Sequence, residues 1–294
     1  MQETLFDVHR PVRSPLRYPG GKTRVAKRFA PFFPEHTDYR EVFAGGAAIF
    51  FYKRKAETNW INDLHPGLYA FWRAVRDHFD EFAELCRAED TPGSQQRFNH
   101  WAFDRRGLMT CRGDDHLLER AIQFYYLNRT VWGGRVVFDP DRKSRLYFSN
   151  PEGWTRIEKK LAHLRKVSAK LQGVEITCRD YAECIEGATA DTFIYADPPY
   201  YRESTGHATD KLYDKSFDVE CHHRLAEVLH DCPANVMVSY DDCDAVRELY
   251  PDWRHEPLQW KYSGTYAVSN EDKANGRKEK KVTGQELLIL NYEM

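Results

Sequence analysis

Apolar and polar positions divide the chain into short apolar runs and longer amphipathic stretches. Residues 192–196 (TFIYA) form an apolar, β-rich run that Pro198 and Pro199 stop. Proline lacks the N–H that a ladder or helix needs, so a buried strand ending at Asp197 is predicted. Comparable runs predict strands over 59–64, 174–181, 236–240, 253–262 and 286–292, while 39–51 reads as a strand, a small-residue turn and the start of an apolar helix. Leu68, Phe71, Trp72, Val75, Phe79, Phe82 and Leu85 share one face of a single amphipathic helix over 66–88. Further helices are predicted after Gly20-Gly21, over 114–129 and 155–171, and from 217 onward; 136–149 reads as a hairpin with a charged turn. Strands alternating with helices make this an α/β chain with a parallel sheet, interrupted by a mainly helical insertion, and residues 1–13 read as a loose lead-in.

Composition narrows the class. At 294 residues the chain can bury its own core without staples. No apolar run is long enough to span a bilayer, and the mixed polar start lacks a secretory pattern, so a cytoplasmic protein is expected, as a monomer or weak dimer. The seven cysteines are scattered, with no C-x-x-C pair, which suggests neither a disulfide framework nor a metal site. The net charge of -2 hides a local excess of Arg and Lys between 97 and 145, with Trp101, Phe103, Trp132 and Tyr147 among them. Arginines mixed with aromatics suit phosphate contacts, base-edge readout and insertion beside a displaced base; a solvated face is the plainer reading.

A carboxylate at a strand's carboxyl end, followed by a rigid Pro-Pro turn and an aromatic ring, occupies the place where α/β sheets bind ligands. Asp197-Pro198-Pro199-Tyr200 resembles the D-P-P-Y signature of amino-group methyltransferases that use S-adenosylmethionine, and the chain as a whole resembles the Dam-type (α-class) DNA adenine N6-methyltransferases. The chemistry gives each residue a reason. The adenine 6-amino lone pair is delocalised into the ring, and acceptors on both N–H bonds localise it. Asp197 and the Pro198 carbonyl are the expected acceptors, with Tyr200 stacking on the base. The base must leave the duplex at a cost of a few kcal/mol, which stacking worth roughly 1–3 kcal/mol offsets.

The resemblance extends to other blocks. Tyr18-Pro19-Gly20-Gly21-Lys22 is similar to the family's N-terminal motif, with Tyr18 where tryptophan is common; it implies that Lys22 meets the cofactor carboxylate and Tyr18 lines the pocket. Phe43-Ala44-Gly45-Gly46-Ala47 resembles the F-x-G-x-G cofactor loop, departing at Ala47. Asp63, about twenty residues on, is the implied ribose ligand, with a helix cap as the rival reading. Asp180 and Tyr181 are similar to the pair that meets the cofactor adenine, although Asp180 is equally well placed to cap the next helix. Leu127-Asn128-Arg129-Thr130 resembles the start of the target-recognition part, and Arg129, Arg135, Arg142, Lys143 and Arg145 are the expected contacts to double-stranded DNA. The family's Asn- and Gly-rich hairpin is absent, so no target sequence is transferred.

The implied fold is a Rossmann-like methyltransferase sheet, with 1–65 and 151–294 as the S-adenosylmethionine-binding catalytic domain and 66–150 as the inserted, mainly helical target-recognition domain. The implied activity is site-specific methylation of a flipped-out adenine, with restriction-modification among its possible settings. Cytosine N4 methylation, RNA methylation and a catalytically retired DNA-binding module are the rivals.

Overall fold

The computed structural model describes residues 7, 9–18, 20–89, 93–105, 107–108, 111, 113–134, 136, 146–201, 217–265 and 281–294, with only the backbone at 260–265 and 281–285. In chain order the elements are α1 (Ala26–Phe29) between two 3-10 turns, β1 (Asp38–Glu41), α2 (Ala48–Tyr52), β2 (Thr58–Asn62), α3 (Pro66–Asp77), α4 (Phe79–Ala88), α5 (Gln95–Asn99), α6 (Leu117–Thr130), α7 (Ile157–Leu171), β3 (Glu175–Thr177), α8 (Tyr181–Ile185), β4 (Thr192–Ala196), α9 (Val219–His230), β5 (Asn235–Tyr240), α10 (Asp244–Leu249), β6 (Arg254–Thr265) and β7 (Lys281–Leu290).

Seven strands form one sheet in the order β3-β2-β1-β4-β5-β7-β6. β1 to β5 run parallel, and β7 is antiparallel to both β5 and β6. Successive side chains of the buried central strand β4 point to opposite faces. Phe193 and Tyr195 enter the core under α3, α6 and α7, while Ile194 and Ala196 enter the one under α8, α9 and α10. The first core continues without a break through Phe71, Phe82, Tyr125 and Trp154, so the helices of 66–150 share it with the sheet. The strand order reverses between β1 and β4. The carboxyl ends of these two strands, where Phe43 and Asp197 follow, therefore flank the crevice at the switch point.

Three expectations change. The helix expected over 66–88 breaks at His78, whose φ of -134° and ψ of 42° lie outside the helical region. The lead-in is anchored at Val12, which is buried and whose N–H donates to the Phe51 carbonyl at 2.8 Å. The strand expected over 174–181 covers only Glu175–Thr177, and Tyr181 opens α8; before it, Lys170 near the end of α7 is fully buried and bonded to the carbonyls of Arg10, Phe51 and Lys53. Most of the predicted hairpin lies outside the described residues, but an antiparallel bridge joins Val131 to Phe148 at its base. The strands expected over 253–262 and 286–292 are found as β6 (Arg254–Thr265) and β7 (Lys281–Leu290), and 266–280 lie outside the described residues.

Candidate active site

Asp197 leaves the end of β4 and is pinned from two sides. Its Oδ1 accepts from Lys22 Nζ at 2.7 Å and from Ser239 Oγ at 2.8 Å, and Ser239 is hydrogen-bonded in turn to the Tyr195 hydroxyl at 2.8 Å. Both bonds fall on one oxygen. Among the described residues nothing donates to Oδ2 or to the Pro198 carbonyl, which leaves two acceptors on successive residues unengaged just beyond the end of β4.

Lys22 is buried, and its ammonium donates to Asp197, to the Tyr200 hydroxyl at 2.8 Å and to the Gly20 carbonyl at 3.1 Å, with Glu286 Oε1 at 3.3 Å. Burial opposes its charge, but the two carboxylates outweigh burial and hold the Lys22 pKa above its ordinary value. The sequence-based expectation put Lys22 on the cofactor carboxylate, whereas here its protons go to Asp197, Tyr200 and Gly20. Burial, with Asp197 and Glu286 nearby, pushes the Tyr200 hydroxyl upward, so it stays neutral and serves as an anchor while its ring remains half-buried at the site.

The turn after β1 carries the second part of the site. Gly45 has φ +47°, and a Cβ there would stand 2.7 Å from the Tyr18 ring, so glycine is required both by the backbone and by Tyr18. Ala47 takes a left-handed φ of 49° at the start of α2, the place where the family pattern has glycine. Asp63 Oδ2 accepts from Gly45 N at 2.8 Å and Oδ1 from His65 N at 2.9 Å, while the His65 side chain caps α3. Asp63 is therefore the tie between β2 and the glycine turn. Burial raises its pKa, and the two N–H donors pull against that. Beside it Asn62 bonds to the Val42 and Arg179 carbonyls, bracing three strand ends.

Asp180 caps α8 through Ala182 N at 3.0 Å and also takes both arms of Arg224, at 2.8 and 3.0 Å. Arg224 lies over the Tyr181 ring, and the Phe43 and Tyr181 centroids are 5.3 Å apart. Two carboxylates at successive strand ends, two aromatic rings and an α/β glycine turn form a donor and acceptor set that fits a nucleoside-bearing cofactor, with carboxylate for hydroxyl and amino groups and rings for an apolar base.

Of the expected DNA contacts, Arg129 points inward, its guanidinium on the Pro15 and Gly153 carbonyls at 3.4 and 3.5 Å. Arg135, Arg142, Lys143 and Arg145 lie outside the described residues. Trp132 and Tyr147 stand at the base of that segment, joined by Trp132 N to the Tyr147 carbonyl, and at 72% and 68% exposed they are the most open large aromatics among the described residues. Sequence reasoning missed Asn128, Ser239, Arg224 and Glu286 as site residues. The signal for two of them was a polar residue bordering a buried apolar run, Asn128 after Phe124–Leu127 in α6 and Glu286 before the apolar stretch 287–290. Among the described residues no cluster of His, Cys, Asp and Glu could hold a metal ion, and no helix is long and apolar enough to cross a membrane.

The family model described as D12 class N6 adenine-specific DNA methyltransferase matches residues 18–264. The Type II methyltransferase M.MjaIII of Methanocaldococcus jannaschii is 27% identical over 200 residues, covering 63% of this chain and 68% of that protein. The Type II methyltransferase M1.LlaDCHI of Lactococcus lactis subsp. cremoris is 21% identical over 281 residues, 94% of each chain. A DNA adenine methylase of Salmonella typhi is 25% identical over 242 residues, 81% of this chain and 84% of its own length.

Proposed function

The chain belongs to the D12 class of N6 adenine-specific DNA methyltransferases, and from that premise we propose how its residues divide the work of methylating adenine in DNA. S-adenosylmethionine is the proposed donor, and when bound it supplies a methyl group already activated by its sulfonium. Asp63 takes the ribose hydroxyls, and Phe43 and Tyr181 flank the cofactor adenine. Asp180 accepts from the amino group of that adenine once Arg224 releases it. Gly45 and Gly46 keep the turn close to Tyr18, which walls the pocket. Asp197 Oδ2 and the Pro198 carbonyl accept the two N–H bonds of the target amino group and localise its lone pair, and the Tyr200 ring stacks on the extruded base.

Residues 66–150 are proposed as the target-reading part. Arg135, Arg142, Lys143 and Arg145 supply the phosphate and base contacts, Trp132 and Tyr147 supply stacking surface, and Arg129 serves by bracing the junction.

The single observation that carries this reading is the pair of unengaged acceptors, Asp197 Oδ2 and the Pro198 carbonyl, at the switch point of the sheet. The test is transfer of label from S-adenosylmethionine to unmethylated DNA, followed by digestion to nucleosides. Label is expected in N6-methyladenine, and Asp197→Ala should lower transfer by about 10²-fold or more. Full activity in that variant would remove Asp197 from the reaction.

A further inference from the structure

Glu286 is a carboxylate where the surrounding pattern calls for an apolar side chain. It opens the run Leu287, Leu288, Ile289 and Leu290 on β7, all four fully buried, and it is itself only 7% exposed. Burying a carboxylate is costly unless its environment answers the charge. Glu286 Oε1 accepts from the Tyr200 hydroxyl at 2.8 Å and stands 3.3 Å from Lys22 Nζ, while Oε2 is buried with no hydrogen-bond partner. One ammonium therefore lies between two carboxylates, 2.7 Å from Asp197 and 3.3 Å from Glu286.

This sharing matters to Asp197. An ammonium at contact distance with no second counter-charge draws electron density from its carboxylate and weakens it as an acceptor for an amino N–H. A second carboxylate on the same ammonium offsets that pull, because the interaction is strong where water is excluded. We propose that Glu286 is a positioning residue for methyl transfer: by sharing Lys22 with Asp197 and holding the Tyr200 hydroxyl, it keeps Asp197 a strong acceptor and fixes the Tyr200 ring at the base site. The inference rests on the reading that Asp197 receives the target amino group.

Among the described residues, the titratable groups facing Glu286 are Lys22 on the first 3-10 turn, Tyr195 on β4, and Asp197 and Tyr200 just beyond it. Burial, with Asp197 adding and Lys22 opposing, pushes the Glu286 carboxyl up to about 7. Its ionisation thus falls within the working range of pH. Protonated Glu286 leaves Lys22 to act on Asp197 undivided; ionised Glu286 restores the acceptor. Turnover should accordingly rise with pH as Glu286 ionises, and Glu286→Gln should imitate the protonated form at every pH.

The test is single-turnover transfer of labelled methyl to adenine in DNA between pH 6 and 9, for the wild type, Glu286→Gln, Glu286→Ala and Asp197→Ala. At pH 8.5 Glu286→Gln should be slowed about tenfold, with KM for S-adenosylmethionine and DNA affinity within about twofold of wild type. Its profile should be flat where the wild type rises, and the two should converge near pH 6. Glu286→Ala should be slower still, since Gln keeps a partner for Tyr200. A wild-type profile with no acid limb near pH 7, or Glu286→Gln at wild-type rate with Asp197→Ala inactive, overturns the proposal alone. Asp197→Ala at wild-type rate overturns the underlying reading and this inference with it.

Discussion

Asn128→Ala removes a side chain that ties the helical insertion to the segment carrying Tyr18 and Lys22. Asn128 is wholly buried; its Oδ1 accepts from Arg17 N at 3.1 Å, and its Nδ2 donates to the carbonyls of Arg17 at 2.7 Å and Gly134 at 2.8 Å. Three hydrogen bonds at about 1 kcal/mol net each come to about 3 kcal/mol, and the backbone groups left without partners raise the loss further. Admission of water into the gap works the other way, so about 3 kcal/mol is the expected destabilisation. For a chain of this size that lowers Tm by roughly 5 °C, and urea unfolding gives the same free energy independently. Methyl transfer should fall further than stability alone predicts, because Lys22 loses its fixed approach to Asp197. Asn128→Asp should be worse, as it aims a carboxylate at two carbonyls. A loss under about 0.5 kcal/mol with wild-type turnover would refute this account of the tie.

Gly45→Ala combines a left-handed φ with a Cβ 2.7 Å from Tyr18, whereas a Cβ at Gly46 meets Ser14 Oγ at 3.2 Å in ordinary backbone. Gly45→Ala should therefore cost at least about 2 kcal/mol and weaken S-adenosylmethionine binding in calorimetry, and Gly46→Ala under half as much; the reverse order would count against the role of Tyr18. Glu41 is buried, accepting from Tyr39 OH and Phe50 N, and burial chiefly raises its pKa from 4.5 to about 8. Between those values the folded state binds the extra proton. Its contribution is thus full below pH 4.5 and lost as pH rises towards 8. Denaturant titrations should show wild-type stability falling across that window and Glu41→Gln falling less; parallel curves would contradict the assignment.

The legible parts of the molecule were those encoded in contiguous residues. An apolar run halted by two prolines locates β4 and Asp197, and the Asn62-Asp63 pair locates the end of β2, because each pattern contains its own boundary. Partners brought together from opposite ends of the chain were not legible: nothing local to Lys22 or Glu286 announces the other. Nor does sequence distinguish a guanidinium aimed at phosphate from one aimed at carbonyls: Arg129 reads as a DNA contact, and its guanidinium meets the Pro15 and Gly153 carbonyls. His78 breaks a helix whose apolar spacing runs on unperturbed, since α3 and α4 both face the same core.

The junction around Asn128 is a collar built on two glycines. Val131 and Phe148 close an antiparallel bridge; within it Gly134 packs so tightly on Arg17, and beyond it Gly153 on Arg129, that a Cβ would overlap their carbonyls. That collar cannot drift without dislodging Lys22. The constraint reaches into the chain beyond the bridge, where Gly134 rests on Arg17 and the Val136 carbonyl meets His65 Nε2 at 3.2 Å. A laboratory graft of this part of the chain would therefore have to keep Gly134 and Gly153, so that Lys22 stays in its original register.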